Sequence, residues 1–374
     1  MKKFLDCISI VGATPSKFHG TKKYVSTGAV ATTEIDESEV VEVTYEDRPS
    51  RANLSAEAGD ILFAKMQGTR KTLLLDSETE ENIYSTGFYA VRANPEVITT
   101  ECLYYLIDSE LFLAQKDKNC SGATQKAITN GGMAKIEISV PALSEQGILV
   151  NKLKHLTQLI ADKKKQLNLF DEIIKSRFIE MFGTLSSNEQ NFEVLTIESL
   201  CSLIKDGTHQ TPTYTEDTIN GFKFLSSKDV MSTKINWGDI KYIPSDLHEK
   251  LYAVVKPIKN DILMSKNGVN YGVAAVNDTD EVFDIYVSLA LLRPKTDIIN
   301  PVYFRSAINS PDTKRQFDSS IKGIGVPNLH LGEIKKTKIL VPPVDKQNEY
   351  VSFVEQVDKS KYHGEFTCEM EVAA

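Results

Sequence analysis

The sequence predicts an α+β chain: two tandem domains, each a mixed β-sheet with flanking helices, separated by long coiled-coil spacer helices in a pseudo-twofold internal repeat. Segments recur about 200 residues apart, strand-like and helix-like runs keep the same order in both halves, and a long heptad helix lies between them. Val140-Pro141-Ala142-Leu143-Ser144-Glu145-Gln146 returns as Val341-Pro342-Pro343-Val344-Asp345-Lys346-Gln347, and Gly59-Asp60-Ile61-Leu62 as Asn260-Asp261-Ile262-Leu263, both at an offset of 201. Arg92 aligns with Arg293, Ser109 with Ser310, Gln115 with Gln316, Gly122 with Gly323 and Gly131 with Gly332, while Tyr24 to Val30 meets Phe224 to Val230 at 200. Chance does not hold one offset across most of a domain. One device is used twice, and the function should be bipartite.

The first domain, residues 1–141, reads as short strands broken by turns. Val40 to Thr44, Ile61 to Ala64 and Gly87 to Val91 are β-rich runs. Glu101 to Gln115 is a helix with Leu103, Leu106, Ile107 and Leu111 on one side, and Ile136 to Val140 is a closing strand ended by Pro141. Residues 142–184 form the first spacer helix. Leu149, Leu153, Leu156, Ile160, Leu167, Phe170, Ile174 and Phe178 recur at steps of four and three, with Lys163 in one slot and Gly183 as the stop. At 1.5 Å per residue the helix reaches roughly 55 Å. The second domain, residues 185–342, repeats the plan: Leu195 to Ile204, Gly221 to Val230, Asp261 to Met264, Ile285 to Arg293, then a helix from Val302 to Ile308. Residues 343–374 begin a second spacer helix, with Tyr350, Phe353, Val354 and Val357 on one face. Its apolar pattern ends near Lys361, which predicts a truncated helix and an irregular tail containing Gly364.

The chain has 374 residues, 41% hydrophobic and 25% charged, which suits a globular protein of two or three domains. No run approaches 18 apolar residues, so no membrane span is expected, and Met1 to Cys7 meets an acid too early for a secretion signal. The five cysteines (Cys7, Cys102, Cys120, Cys201, Cys368) lack metal-ligand spacing and suit a reducing cytoplasm. The net charge of −8 argues mildly against nucleic acid, but it hides contrast: bases gather at Lys314-Arg315, Lys322, Lys335-Lys336 and Lys338. Each such cluster read alone is a solvated face.

Catalytic constellations are missing. The sequence has no phosphate loop ending in Gly-Lys-Ser/Thr, no Gly-x-Ser-x-Gly elbow, and no Asn-Pro-Pro-Tyr or Asp-Pro-Pro-Tyr of the amino-methylating enzymes. Gly323-Ile324-Gly325 stands outside any strand-then-helix context, and the six histidines are dispersed. What stands out is a set of polar, Gly-containing loops at matched places. In the first half they supply Thr14, Ser16, Lys17 and His19; Lys65, Gln67, Thr69, Arg70 and Lys71; and Gln125 and Lys126. In the second they supply Thr208, His209, Gln210, Thr211, Thr213 and Tyr214; Lys266, Asn267, Asn270 and Tyr271; and Lys322 and Asn328. Gln and Asn grip adenine at two atoms, Arg and Lys grip guanine, and hydroxyls serve phosphate or base.

Gly122-Ala123-Thr124-Gln125-Lys126-Ala127-Ile128, Ile136 to Gln146, and a heptad helix ending Phe170-Asp171-Glu172-Ile173-Ile174-Lys175-Ser176-Arg177-Phe178-Ile179-Glu180-Met181-Phe182-Gly183 resemble the specificity (S) subunit of type I restriction-modification systems. The resemblance runs from about residue 1 to 361 and is tightest over 120–183. It implies two target recognition domains, each reading one half of a split, asymmetric duplex DNA site. It implies spacer helices that pair antiparallel, through the stepped residues above together with Phe353 and Val357, and dock two methylation (M) subunits. Motor-nuclease (R) subunits join for cleavage. S-adenosylmethionine, Mg2+ and ATP are then expected on the partners, with no cofactor or metal and no catalytic residue on this chain, which would work in the cytoplasm. Two other readings stay open: a coiled-coil scaffold that binds no DNA, and a methyltransferase-like enzyme with an unrecognised cofactor site.

Overall fold

A computed structural model describes residues 1–230, 233–321 and 327–373, with side chains as far as Lys361. It divides into two compact units, Met1–Ala161 and Asp162–Ala374. The division falls inside the long helix rather than at either end of a separate spacer.

The strands of the first unit are β1 (Lys2–Lys3), β2 (Ile8–Val11), β3 (Lys22–Val25), β4 (Val41–Val43), β5 (Ala52–Leu54), β6 (Ile61–Ala64), β7 (Thr72–Leu74), β8 (Ile83–Ser85), β9 (Phe88–Ala93) and β10 (Glu137–Ile138). Its helices are α1 (Thr100–Ile107), α2 (Glu110–Lys118) and α3 (Asn130–Met133), followed by α4 (Leu143–Phe182), which continues into the second unit. An antiparallel sheet runs β2-β9-β6-β7, and a smaller mixed sheet runs β4-β3-β8-β5 with β3 and β8 parallel. Every residue of β6 is buried because both faces of its sheet are covered. Ile61, Phe63 and Val91 pack toward Leu103, Ile107 and Phe112 of the helices, while Leu62, Ala64 and Ala90 pack toward Val25 and Tyr84 of the small sheet. A strand covered on both sides reads as an unbroken apolar run instead of an alternation.

The second unit repeats these layers. Its strands are β11 (Glu193–Thr196), β12 (Cys201–Asp206), β13 (Phe222–Leu225), β14 (Lys241–Ile243), β15 (Ile262–Ser265), β16 (Ala274–Val276), β17 (Phe283–Ile285), β18 (Leu289–Pro294) and β19 (Lys338–Val341). Its helices are α5 (Ile197–Leu200), α6 (Ser245–Tyr252), α7 (Pro301–Ile308), α8 (Pro311–Ser320), α9 (Leu331–Lys336) and α10 (Val344–Ala373). The large sheet runs β12-β18-β15-β16 and the small one β14-β13-β17, with β13 and β17 parallel. The clearest differences between the halves are α6, which stands where the first unit has β5, and α5, which stands where the first unit has a 3-10 turn at Phe4–Asp6.

The residues that recur at 201 are those that hold this scaffold. Arg92 grips Asp60 at 2.6 and 3.1 Å, and Arg293 grips Asp261 at 2.8 and 2.9 Å. The Gln115 side chain exchanges two hydrogen bonds with the Glu137 backbone, as Gln316 does with Lys338. Ser109 and Ser310 cap α2 and α8 by accepting the Phe112 and Thr313 N–H groups. That cap ends α1 at Ile107, so the single helix expected over 101–115 is two. Buried Gln146 accepts the Thr99 N–H at 2.8 Å and donates to the Val97 and Pro141 carbonyls, both at 3.0 Å. Gln347 does the same with Asn300, Ile298 and Pro342. Gln347→Ala strands three backbone groups; at 1–3 kcal/mol for each group left dry, offset by entering water, the expected loss is about 3 kcal/mol in urea unfolding. Gln316→Ala, at an exposed site, should cost about 1 kcal/mol.

Helix α4 serves both cores. Near its start Val150, one turn after Gln146, is buried with the first unit's helices, whereas Leu149, expected in the apolar seam, is 38% exposed. The first turns follow the i, i+4 face that meets α1, and the heptad phase begins later. Leu153, Leu156, Ile160, Leu167, Phe170 and Ile174 are half-buried. Phe178 and Phe182 are buried in the second unit against Tyr303 and Tyr350. There α10 runs antiparallel to α4, with Arg177 near Glu349, Phe353 against the Arg177 guanidinium, Val357 buried, and Lys361 bonded to Asp171. Helix α10 does not end near Lys361: its backbone stays helical to Ala373, so the irregular tail expected there is helix. One interior glycine, Gly364, costs only about 1 kcal/mol, and no proline follows it. At 30 residues α10 is shorter than α4, which has 40.

Candidate nucleic-acid interface

Strand β6 runs out into 65–71, and the chain returning from α2 lies beside it. Ile128 N–H donates to the Lys65 carbonyl and Gln67 N–H to that of Lys126, both at 2.9 Å, and Met66 bridges Ala127. The second unit joins the matching segments in the same way. Leu329 N–H donates to the Lys266 carbonyl at 2.8 Å, Gly268 N–H to that of Pro327 at 3.2 Å, and Asn267 bridges Asn328. Each half thus presents a pair of joined loops at one end of its large sheet. Gln67, Gln125 and Lys126 are exposed on the first pair, and Asn270 and Asn328 on the second; Thr69 is half-buried. Asn267 turns its side-chain oxygen inward without a partner.

Lys65 and Lys266 are less free than their residue type suggests. Lys65 donates to the Thr86 carbonyl at 2.9 Å and lies 4.3 Å from the Tyr89 ring centroid, and burial holds its pKa below the usual lysine value. Lys266 is buried and bonds Asp206 at 2.7 Å. That same carboxylate lies 3.6 Å from His209, so Asp206 ties the 208–214 segment to the joined loops. Thr208 bridges Tyr286 and accepts the Gln210 N–H, leaving Gln210, Thr211 and Thr213 exposed. Tyr214 carries Lys241 over its ring at 4.3 Å. Tyr271 bonds Asp318 and lies under Lys314 at 3.5 Å.

The segment holding Thr14, Ser16, Lys17 and His19 is exposed and packs on the small sheet: Ala13 bonds Ser55, and Phe18 meets Tyr45 edge-on at 5.6 Å. Several candidate cations already have carboxylate partners. Arg70 is held by Asp108 and Glu110, each at 2.9 Å, and Lys17 faces Glu46 at 3.6 Å. Lys71 donates to the Thr27 carbonyl at 2.5 Å. The basic clusters are paired as well: Lys314 with Asp318, Arg315 with Asp312, Lys335 with Glu198, and Lys336 with Glu333. Lys322 lies outside the described residues. Among the described residues no group of His, Cys, Asp or Glu could hold a metal ion, and no helix is long and apolar enough to cross a membrane.

The residue that fixes the first loop is not among those the sequence singles out. Lys116 of α2 is buried and donates to the carbonyls of Ala64, Met66 and Thr69 at 3.3, 3.0 and 2.7 Å. Phe317 fills the matching place at offset 201, packed so closely over Gly272 that a Cβ there would lie 2.7 Å from its ring. A lysine on an apolar helix position is the available signal. Burial depresses the Lys116 pKa below the ordinary 10.5, so the unfolded chain holds that proton more tightly than the folded one. Its contribution to stability therefore rises with pH between the depressed value and 10.5, and Lys116→Met removes that rise. Amides of 65–69 should exchange faster in Lys116→Met, because three carbonyls lose their anchor while global stability changes little. Hydrogen exchange and melting at pH 7 and 9.5 check both.

The sequence model described as the type I restriction modification DNA specificity domain matches residues 10–169 and again residues 189–364. The chain belongs to this family. The specificity-domain repeat coincides with the layers seen twice in the fold. Among curated relatives, the chain is 23% identical over 270 residues to the type I restriction enzyme EcoBI specificity subunit of Escherichia coli, an alignment covering 66% of this chain and 56% of the relative. It is 23% identical over 319 residues to the EcoKI specificity subunit of Escherichia coli K12, covering 80% and 67%. The alignment with the first thus spans little more than half its length. A chain from a solved structure concerned with complex assembly and conformational transition of the type I R-M system superposes with a TM-score of 0.50 at 19% identity, over 98% of this chain and 94% of that one. That likeness concerns the fold.

Proposed function

We propose that this specificity-domain chain is the DNA-recognition subunit of a type I restriction-modification assembly, and that it catalyses nothing itself. Each unit would read one half of a split duplex site. One observation carries this reading: the same pair of joined loops occurs twice on a scaffold whose Asp–Arg pair, serine caps and glutamine locks are kept, while the exposed loop residues differ. Gln67 and Gln125 stand on one pair, Asn270 and Asn328 on the other. A reader of an asymmetric site needs that combination, since the frame must present both readers alike and the side chains must choose different bases.

In this reading α4 and α10 carry the docks for two methylation subunits, which bring S-adenosylmethionine and act on adenine. Motor-nuclease subunits bring ATP and Mg2+, and the assembly works in the cytoplasm, where it meets DNA. Because Arg70 and Lys266 are already paired, partner subunits supply much of the phosphate clamp, and affinity falls steeply with salt. Methylome sequencing of a host expressing the chain with its methylation subunit is the test. A bipartite motif with a fixed gap is expected; absence of any methylated motif favours the scaffold reading. Gln67→Ala with Gln125→Ala should relax the first half-site and leave the second unchanged. Removing each bidentate amide–base pair costs about 1–3 kcal/mol of discrimination.

A further inference from the structure

Within the second unit a crevice of about 330 Å³ opens between α4, α7 and α10. Ile174, Phe178 and Val273 give it apolar walls, and Arg305 and Tyr350 line it as well. Arg305 is only 7% exposed, yet among the described residues no carboxylate pairs with it. Its Nε has no partner, and one terminal nitrogen reaches only Ser306 Oγ, at 3.4 Å. The neighbouring acids are engaged elsewhere, since Lys361 bonds Asp171 and lies 3.8 Å from Asp358. The Tyr350 hydroxyl is buried close to Ser306 without hydrogen-bond geometry. A guanidinium withdrawn from water without a bonded carboxylate is costly, and Asp171 and Asp358 act on it only from a distance. The first unit has Tyr104 at the matching place, so the repeated scaffold does not require Arg305.

We propose that this crevice is a binding site for a small organic monocarboxylate. The carboxylate would take the planar fork of Arg305, with the Tyr350 hydroxyl donating to it, and a short apolar or aromatic body would lie against Ile174, Phe178 and Val273. The charge state follows from the same residues. Arg305 is the buried cation of the lining, whereas Lys175 lines it from an exposed position; with Asp171 and Asp358 also in the lining, a single negative charge suits the crevice better than a dianion such as phosphate.

Benzoate is the probe, with inorganic phosphate at equal ionic strength as its control, and melting of the full chain as the readout. Benzoate is expected to raise the melting temperature progressively with the logarithm of its concentration, while phosphate stays on the salt baseline. Arg305→Met should abolish the benzoate response and melt no lower than the unsubstituted chain in its absence, because it removes an unpaired charge. Tyr350→Phe, which loses only a hydroxyl, should raise the half-effect concentration roughly fivefold. The proposal is overturned if benzoate shifts nothing, if phosphate shifts melting as much, or if Arg305→Met responds as the parent does. Should Arg305→Met fail to fold, the proposal stands or falls with Tyr350→Phe, and an unchanged response there overturns it.

Discussion

Gly207→Ala should cost the second unit more than about 4 kcal/mol, enough to unfold it or to expel the 208–214 segment from its seat. A Cβ on Gly207 would lie 2.0 Å from the Ile285 carbonyl oxygen and 2.4 Å from its carbon. Those are backbone atoms of β17, which cannot swing aside as a flexible side chain can. The close approach exists because Thr208 takes a place beside Tyr286, with its N–H donating to the Ile285 carbonyl at 3.1 Å and its own carbonyl accepting the Val287 N–H at 3.0 Å. Relief would break that bridge and, with it, the seat of Gln210 and Thr211. Gly147→Ala is the control: nothing lies within 4 Å of that position inside α4, so the variant should be slightly more stable, by about 1 kcal/mol. Emission from Trp237, the single tryptophan, packed on Phe283 in the second unit, reads the Gly207→Ala effect there, and circular dichroism of the whole chain reads Gly147→Ala.

Phe182→Ala should destabilise the second unit by about 4 kcal/mol. Phe182 is 1% exposed, and its ring centroid lies 4.9 Å from Tyr303, 5.2 Å from Phe178 and 5.6 Å from Tyr350. Removing it opens a void that these packed rings cannot close without leaving their own neighbours. Urea unfolding followed at Trp237 should show the midpoint falling with little change in slope. A loss below about 1 kcal/mol would mean that the end of α4 is not part of that core.

The architecture is legible in the sequence because duplication is visible without any knowledge of contacts. An offset of 201 that links Asp60 and Arg92 to Asp261 and Arg293 announces a shared frame before the ion pair itself is known. The buried strands at Ile61 and Ile262 are readable for the same reason: covering both faces of a sheet leaves an apolar run. The break in helix 101–115 is hidden because Ser109 sits within an amphipathic stretch, and a cap is recognised only when its partner N–H is in place. Leu149 falls outside the seam because a heptad count cannot say where the phase of a helix changes between two surroundings. The candidate interface is legible at the level of segments. That Gln67 and Gln125 sit on joined loops follows from a backbone bridge that no local pattern encodes. That Arg70 is neutralised by Asp108, and Lys266 by Asp206, depends on pairs far apart in sequence.

The order in which the chain leaves a ribosome gives the pairings that close each unit a temporal meaning. In the first unit β1 meets β10, so the last strand needed is complete by residue 138, and Gln146 locks it eight residues later. In the second, β11 waits for β19, and Phe178 and Phe182 wait for Tyr350. Some 170 further residues must therefore be synthesised before those two rings find their cover. During translation the nascent chain would hold one finished domain followed by an apolar helix end awaiting its lid. That interval is when trigger-type chaperones would have most to grasp, and when slowing synthesis near residue 350 should raise aggregation of this protein most.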